Sequence, residues 1–283
     1  MKKILFTTDF SSNSNHAFDY AISMARAKKA KLILLYVYNL PLVAPVNAFT
    51  SREQTLGLIE INLKEAALKH MEVYTDQLDL MADDYVVVVR EGNVSDEIAR
   101  CCKKELIDLI VMGTKGKTNH RDFLMGSTTV NVSSKTSTPL LAIPENAEIR
   151  PIERIVFAID LLYNSNKELD RLVEFSEIND ATLTFLHLNL KGDEHADELH
   201  NLKRLIQQQS YKKIELISLP AENVIDGLKD FLKDGKTDLI ALSNHTKSFY
   251  QKLFHKSVSR EMLLQANIPL LIFSKEVRPV IFF

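Results

Sequence analysis

The sequence predicts an α/β protein built from two tandem doubly wound parallel-sheet domains. Two observations predict it. Short apolar runs alternate with amphipathic stretches in the order βαβαβαβαβ, and near residue 150 that order begins again.

Residues 2–9 open the chain as a short apolar strand ending at Asp9. The polar stretch from Ser11 to Asn15 suits a helix start, and residues 16–28 carry Ala17, Tyr20, Ala21, Met24 and Ala25 at helical spacing on one face. Residues 32–37 are apolar throughout, as a parallel strand covered on both faces should be. Pro41 and Pro45 mark residues 40–52 as a loop, and a long helix is predicted over residues 52–82. A third strand covers 85–89. Gly92 to Ser95 turn the chain into a helix that ends near Lys104. A strand at 109–112, a glycine-containing loop, a helix near 127–136 and a last strand at 139–143 complete the unit.

Residues 153–160 match 2–9, and 181–188 match 30–37, both at an offset of 151. Residues 237–242 match 107–112, and 268–273 match 138–143, both at an offset of 130. The second copy has therefore lost 21 residues between its second and fourth strands, in the loop and long helix. Pro144 and Pro151 bracket the boundary, which gives domains of 1–147 and 148–283.

Composition bounds the function. Of 283 residues, 46% are apolar and 25% charged, the profile of a soluble globular chain. A net charge of −2 gives no pull toward nucleic acid or anionic membrane. The apolar run near the N-terminus is three residues long and no run reaches 18, so neither a signal peptide nor a membrane span is expected, and the protein is expected in the cytoplasm. Cys101 and Cys102 are adjacent, a spacing that disfavours a mutual disulfide, and are read as small helix residues in a reducing compartment. His195 and His200 flank an acidic stretch, but five residues apart they do not align on a helix as a spacing of four would, and no metal site is expected.

The chemistry is concentrated in residues 111–128, which hold three of eight glycines: Gly113, Gly116 and Gly126. The layout is strand, glycine loop, helix start at Ser127 and Thr128. Glycine lets backbone N–H groups approach an anion, and a helix N-terminus offers unpaired donors. The segment is not a P-loop: that motif needs glycine where Val111 stands. No G-x-G-x-x-G occurs either.

What remains is Gly113-x2-Gly116-x9-Gly126-Ser127, which resembles the G-2x-G-9x-G-(S/T) pattern of the ATP-binding universal stress proteins. The resemblance extends over the whole chain as a tandem member. It implies a Rossmann-like strand order 3-2-1-4-5 in each domain, with Asp9 and the glycine loop flanking the switch point. It assigns ATP, with Mg²⁺ as an optional companion, to Thr8, Asp9, Val37, Gly113, Gly116, Gly126, Ser127 and Thr128. Asp9 would meet the nucleoside, the backbone at Val37 the adenine, Gly113 and Gly116 the ribose and phosphates, and residues 126–128 the phosphate oxygens. Lys115, Lys117, His120 and Arg121 lie where they could add charge, and Asn119 stands where relatives carry small residues. Family members pair their last strands between subunits. Here the two copies are expected to pair within one chain as a pseudo-dimer, with a further homodimer through residues 40–56 or 277–283 left open.

The second copy keeps Asp160, but Gly113 becomes Ser243, Gly116 becomes Thr246 and Gly126 becomes Lys256; Ser127 keeps its type as Ser257. One ATP per chain is therefore expected. Three readings follow: a binding and signalling protein whose nucleotide alters a surface for an unknown protein partner, a slow ATPase or nucleotidyl-transfer enzyme, and a scaffold stabilised by nucleotide. The loop offers Asp122 and hydroxyls but no arrangement that reads as a catalytic base, and the resemblance favours the first.

Overall fold

The computed structural model describes residues 1–40, 52–78, 84–114, 127–159, 161, 166–190, 196–243 and 267–274. The first half comprises β1 (Lys3–Thr8), α1 (Ser12–Lys28), β2 (Lys31–Tyr38), α2 (Arg52–Thr75), β3 (Tyr85–Glu91), α3 (Val94–Glu105), β4 (Leu109–Gly113), α4 (Ser127–Lys135) and β5 (Leu140–Ile143). The second comprises β6 (Arg154–Ile159), α5 (Asn166–Asn179), β7 (Thr182–Leu190), α6 (Ala196–Gln207), β8 (Ile214–Ala221), α7 (Val224–Leu232), β9 (Leu239–Ser243) and β10 (Leu270–Phe273). Four strands of the second half, β6, β7, β9 and β10, start at the offsets read from the sequence.

The ten strands of the described residues form one sheet in the order β3-β2-β1-β4-β5-β10-β9-β6-β7-β8. Each half thus has the expected 3-2-1-4-5 order. Every pairing within a half is parallel, whereas β5 and β10 pair antiparallel, with Leu141 opposite Leu271. The two last strands are short and wholly buried, and each covers the other's open edge. The outer edges of the sheet are β3 and β8.

Apolar layers cover both faces and run across the seam. One gathers α1, α2, α5 and α6 side chains, including Phe18, Met71, Leu172 and Leu202. The other gathers α3, α4 and α7, including Ile98, Val132 and Leu228. Helix α1 buries the predicted face of Ala17, Tyr20, Ala21, Met24 and Ala25, and Ser11 caps it by accepting from the Ser14 N–H. Helix α2 stops at Thr75, seven residues short of the expected end. Its last carbonyls are met by the Asp76, Gln77 and Leu78 N–H groups, and Leu78 turns inward to become buried.

The repeat extends to single hydrogen bonds. Asp108 Oδ2 accepts from the Lys2 and Lys3 N–H groups, tying the head of β4 to the head of β1. Asp238 Oδ2 accepts from the Glu153 and Arg154 N–H groups at the same place in the second half. Arg150 adds an ion pair to Asp238 at 2.7 Å. The connector between the halves is fixed to α1, where Tyr20 donates to the Glu148 carbonyl and His16 Nε2 contacts the Ala147 carbonyl at 2.6 Å. Burial pushes the Tyr20 hydroxyl up to about 12.

Candidate functional site

In the first half, α1 and α2 cover one face and α3 and α4 the other, so helix placement reverses between β1 and β4. In open sheets of this kind the place outside the carboxyl ends of such strands is where ligands bind. Phe6 pairs with Val111, which sets Thr8 and Gly113 side by side two residues further on. Asp9 follows Thr8 at the tip. Val37 lies near the end of β2, paired with Arg90 of β3. Ser127, exposed, and Thr128, half-buried, form the first turn of α4; Ser127 is the first helical residue rather than the cap.

Thr8 is buried, and its hydroxyl is committed to the protein. It accepts from the Phe10 N–H at 2.9 Å and contacts Tyr74 Oη at 2.7 Å and Ser14 Oγ at 3.0 Å. Tyr74 Oη donates onward to Asn15 Oδ1 at 2.6 Å. These bonds tie β1, α1 and α2 together and hold the turn that carries Asp9. Thr8 therefore positions that turn through its neighbours.

Asp9 is half-buried, and its Oδ1 accepts from the Ser11 N–H at 3.1 Å, a turn that leads into the Ser11 cap. Phe10 next to it has φ 60, the left-handed region. Its ring packs on Tyr36 with centroids 4.6 Å apart and meets His70 edge-on at 5.1 Å. Burial, with the Asp9 charge as the smaller cause, raises the Tyr36 hydroxyl. Tyr74 is raised mainly by burial, against the pull of its bonds to Thr8 and Ser14.

Gly113 has a packing reason to be glycine. A Cβ there would lie 2.4 Å from Asn13 Oδ1 and 3.1 Å from the Asn13 carbonyl carbon. Asn13 is buried at the start of α1, and its Nδ2 donates to the Ile143 carbonyl at 3.1 Å, so α1 is locked over the ends of β4 and β5. The first atoms that a side chain at 113 would meet are therefore those of Asn13.

Thr114 follows, 1% exposed, with its N–H donating to the Ile143 carbonyl at 3.0 Å. Its Oγ1 is buried and has no hydrogen-bond partner among the described residues. Sequence reasoning passed over it because only the glycines matched a pattern. Gly116, Gly126, Lys115, Lys117, Asn119, His120, Arg121 and Asp122 lie outside the described residues, as do residues 41–51 of the 40–56 loop and the 277–283 tail.

The equivalent place in the second half has different chemistry. Ser243, at the position of Gly113, donates from Oγ to Glu168 Oε1 at 2.8 Å. Glu168 sits in the first turn of α5 and is 8% exposed. Burial pushes its carboxyl up to about 7, against the opposing effects of the Ser243 bond and Arg171. Asp160, His195, Thr246, Lys256 and Ser257 lie outside the described residues. Among the described residues no cluster of His, Cys, Asp or Glu could hold a metal ion, and no helix is long and apolar enough to cross a membrane. Cys101 and Cys102 are buried and unbridged, and burial pushes the Cys102 thiol up to about 12.

A separate groove lies beside edge strand β3, between Lys64, Arg90, Glu91, Arg100 and Lys104. Its charges are mixed in sign, and it belongs to the outer edge rather than to the ends of β1 and β4.

Comparisons agree with this geometry. The sequence model of the universal stress protein family matches residues 1–144. A universal stress protein of Methanocaldococcus jannaschii is 29% identical over 152 residues, covering 50% of this chain and 94% of its own. One from Synechocystis is 22% identical over 292 residues, covering 96% of this chain and 100% of its own. Among solved structures, a universal stress protein from Archaeoglobus fulgidus superimposes with a TM-score of 0.63 at 18% identity, covering 97% of this chain and 96% of its own. At that identity the likeness is one of fold, and it spans both halves.

Proposed function

The chain belongs to the universal stress protein family, and from that premise we propose that it is an ATP-binding regulatory protein with one nucleotide site, in the first half. The observation that carries this reading is Thr114. Thr114 is 1% exposed, and its hydroxyl, at the end of β4, has no partner among the described residues. Buried polar groups are nearly always paired, by protein, water or ligand. An orphan at the mouth of an anion-binding type of loop fits a polar ligand there.

In this reading the Asp9 carboxylate and the Val37 backbone hold the nucleoside. The backbone at Gly113 and Gly116 lies along the ribose and phosphates, and Gly126, Ser127 and Thr128 donate to phosphate oxygens at the start of α4. Thr8 acts behind Asp9 by fixing the Phe10 N–H. Bound ATP supplies a polyphosphate charge, and any Mg²⁺ is carried by those phosphates, since the described residues offer no metal cluster. Nucleotide occupancy favours one arrangement of the loop and of α4, and that arrangement presents a surface to a protein partner without turnover. The second half, residues 148–283, covers the edge of the first, residues 1–147.

A scaffold reading draws on one observation, the buried β5–β10 seam, which makes a single polypeptide self-sufficient. The experiment that separates the readings is to denature the purified protein and identify what is released. ATP at about one equivalent per chain supports the regulatory reading. No nucleotide, together with no binding of added ATP, overturns it.

A further inference from the structure

Both halves tie their first helix to the carboxyl ends of the sheet strands, but on different strands and with different groups. In the first half the lock is the Asn13 amide on the Ile143 carbonyl, packed over Gly113, and nothing in that bond titrates. In the second half the lock is Ser243 on Glu168, joining the end of β9 to the first turn of α5. Glu168 corresponds to Ala17 of α1, so the carboxyl replaces a methyl in the buried helix face.

We propose that Glu168 and Ser243 form a proton-operated latch, closed while Glu168 carries its proton and loosening as the carboxyl ionises. The surroundings favour the neutral acid. Strands β6 and β9 bring apolar side chains: Ile155, Phe157, Ile159, Leu239 and Ala241 are all buried. Strand β7 brings His187, which is buried with its Nδ1 3.1 Å from Ser218 Oγ. Helix α5 itself brings Arg171, whose guanidinium also reaches the Ser137 carbonyl at 3.0 Å. Arg171 and the Ser243 hydroxyl both favour the ionised form, yet burial outweighs them. A carboxylate at this position gains hydration by letting water into the first turn of α5.

The sign follows from linkage. The closed latch holds its proton up to about 7, whereas a solvated glutamate releases it near 4.5. The closed state is favoured most below 4.5, and opening grows about tenfold per pH unit until the pH passes 7, where it levels off.

Hydrogen exchange read at the amides of Asp170, Arg171 and Leu172, corrected for intrinsic rates, tests this on the full chain. Protection should fall about tenfold per pH unit across that window. The matching amides of Asp19, Tyr20 and Ala21 in α1 should show no such fall. Glu168→Gln, which cannot ionise, should flatten the α5 profile. Ser243→Ala removes a bond that favours ionisation, so its levelling should move to higher pH. The same α5 profile in wild type and Glu168→Gln, or levelling at lower pH in Ser243→Ala, overturns the latch. Should Glu168→Gln fail to fold, the direction of the Ser243→Ala displacement decides alone.

Discussion

The side chain of Asn13 occupies the space that a side chain on Gly113 would need. An added Cβ would stand 2.4 Å from its Oδ1. Gly113→Ala should therefore destabilise the fold by about 1–3 kcal/mol, the usual cost of overpacking a tight contact. Asn13→Ala in the same molecule should recover part of that loss. Urea unfolding of the single and double variants checks it; an unchanged midpoint for Gly113→Ala would mean that α1 stands further off β4.

Thr8 and Tyr74 form the second test. Tyr74→Phe removes the hydroxyl that joins Thr8 to Asn15, leaving Asn15 Oδ1 without that donor, at a cost of about 1–2 kcal/mol. Thr8→Val deprives the Phe10 N–H of its acceptor at similar cost. Because the two hydroxyls share one bond, the double variant should lose less than the sum. Strict additivity in denaturation would show that the network does not couple.

The buried cysteines should be inert in the folded protein. Thiolate is the reactive form, and burial holds Cys102 up to about 12. At pH 8.5, alkylation of native protein, followed by mass spectrometry, should leave Cys101 and Cys102 unmodified. Both should react at once in denaturant. Rapid labelling of the native state would mean that α3 opens readily.

Leu141 and Leu271 face each other across the antiparallel seam. Leu141→Cys with Leu271→Cys should form a disulfide within one chain under mild oxidation. The product should run as a monomer on a non-reducing gel. A cross-link formed only between chains would show that the seam joins subunits instead.

The one-site reading predicts saturation with ATP at about one equivalent per chain by calorimetry. Asp9→Ala should weaken that event about tenfold or more, the scale of losing one charged hydrogen bond. Two equivalent sites, or an unaffected Asp9→Ala, would show the site to be elsewhere.

The sequence made the sheet legible because buried parallel strands leave unbroken apolar runs, and because the runs recur at fixed offsets. Ser11 and the Ala17 to Ala25 face of α1 were legible for similar local reasons. The role of Asn13 was not, since it acts on residues 100 and 130 positions away. Gly113 could be recognised as a place without room for a side chain, but a close ligand and a close helix leave the same mark in sequence. Glu168 belongs to no sequence pattern; only the fold shows it facing Ser243. The end of α2 was missed because residues 76–82 carry no glycine or proline to stop a helix, while burial of Leu78 does stop it.

The antiparallel junction of β5 with β10 has a directional consequence. All strands of one half point toward one rim of the sheet, and all strands of the other half point toward the opposite rim. The helix dipoles follow the same sense, so the two halves point their helix N-termini toward opposite rims. A body large enough to cap the Asp9 pole leaves the Glu168 pole in solvent. The two poles are joined by the seam and the apolar layers that cross it.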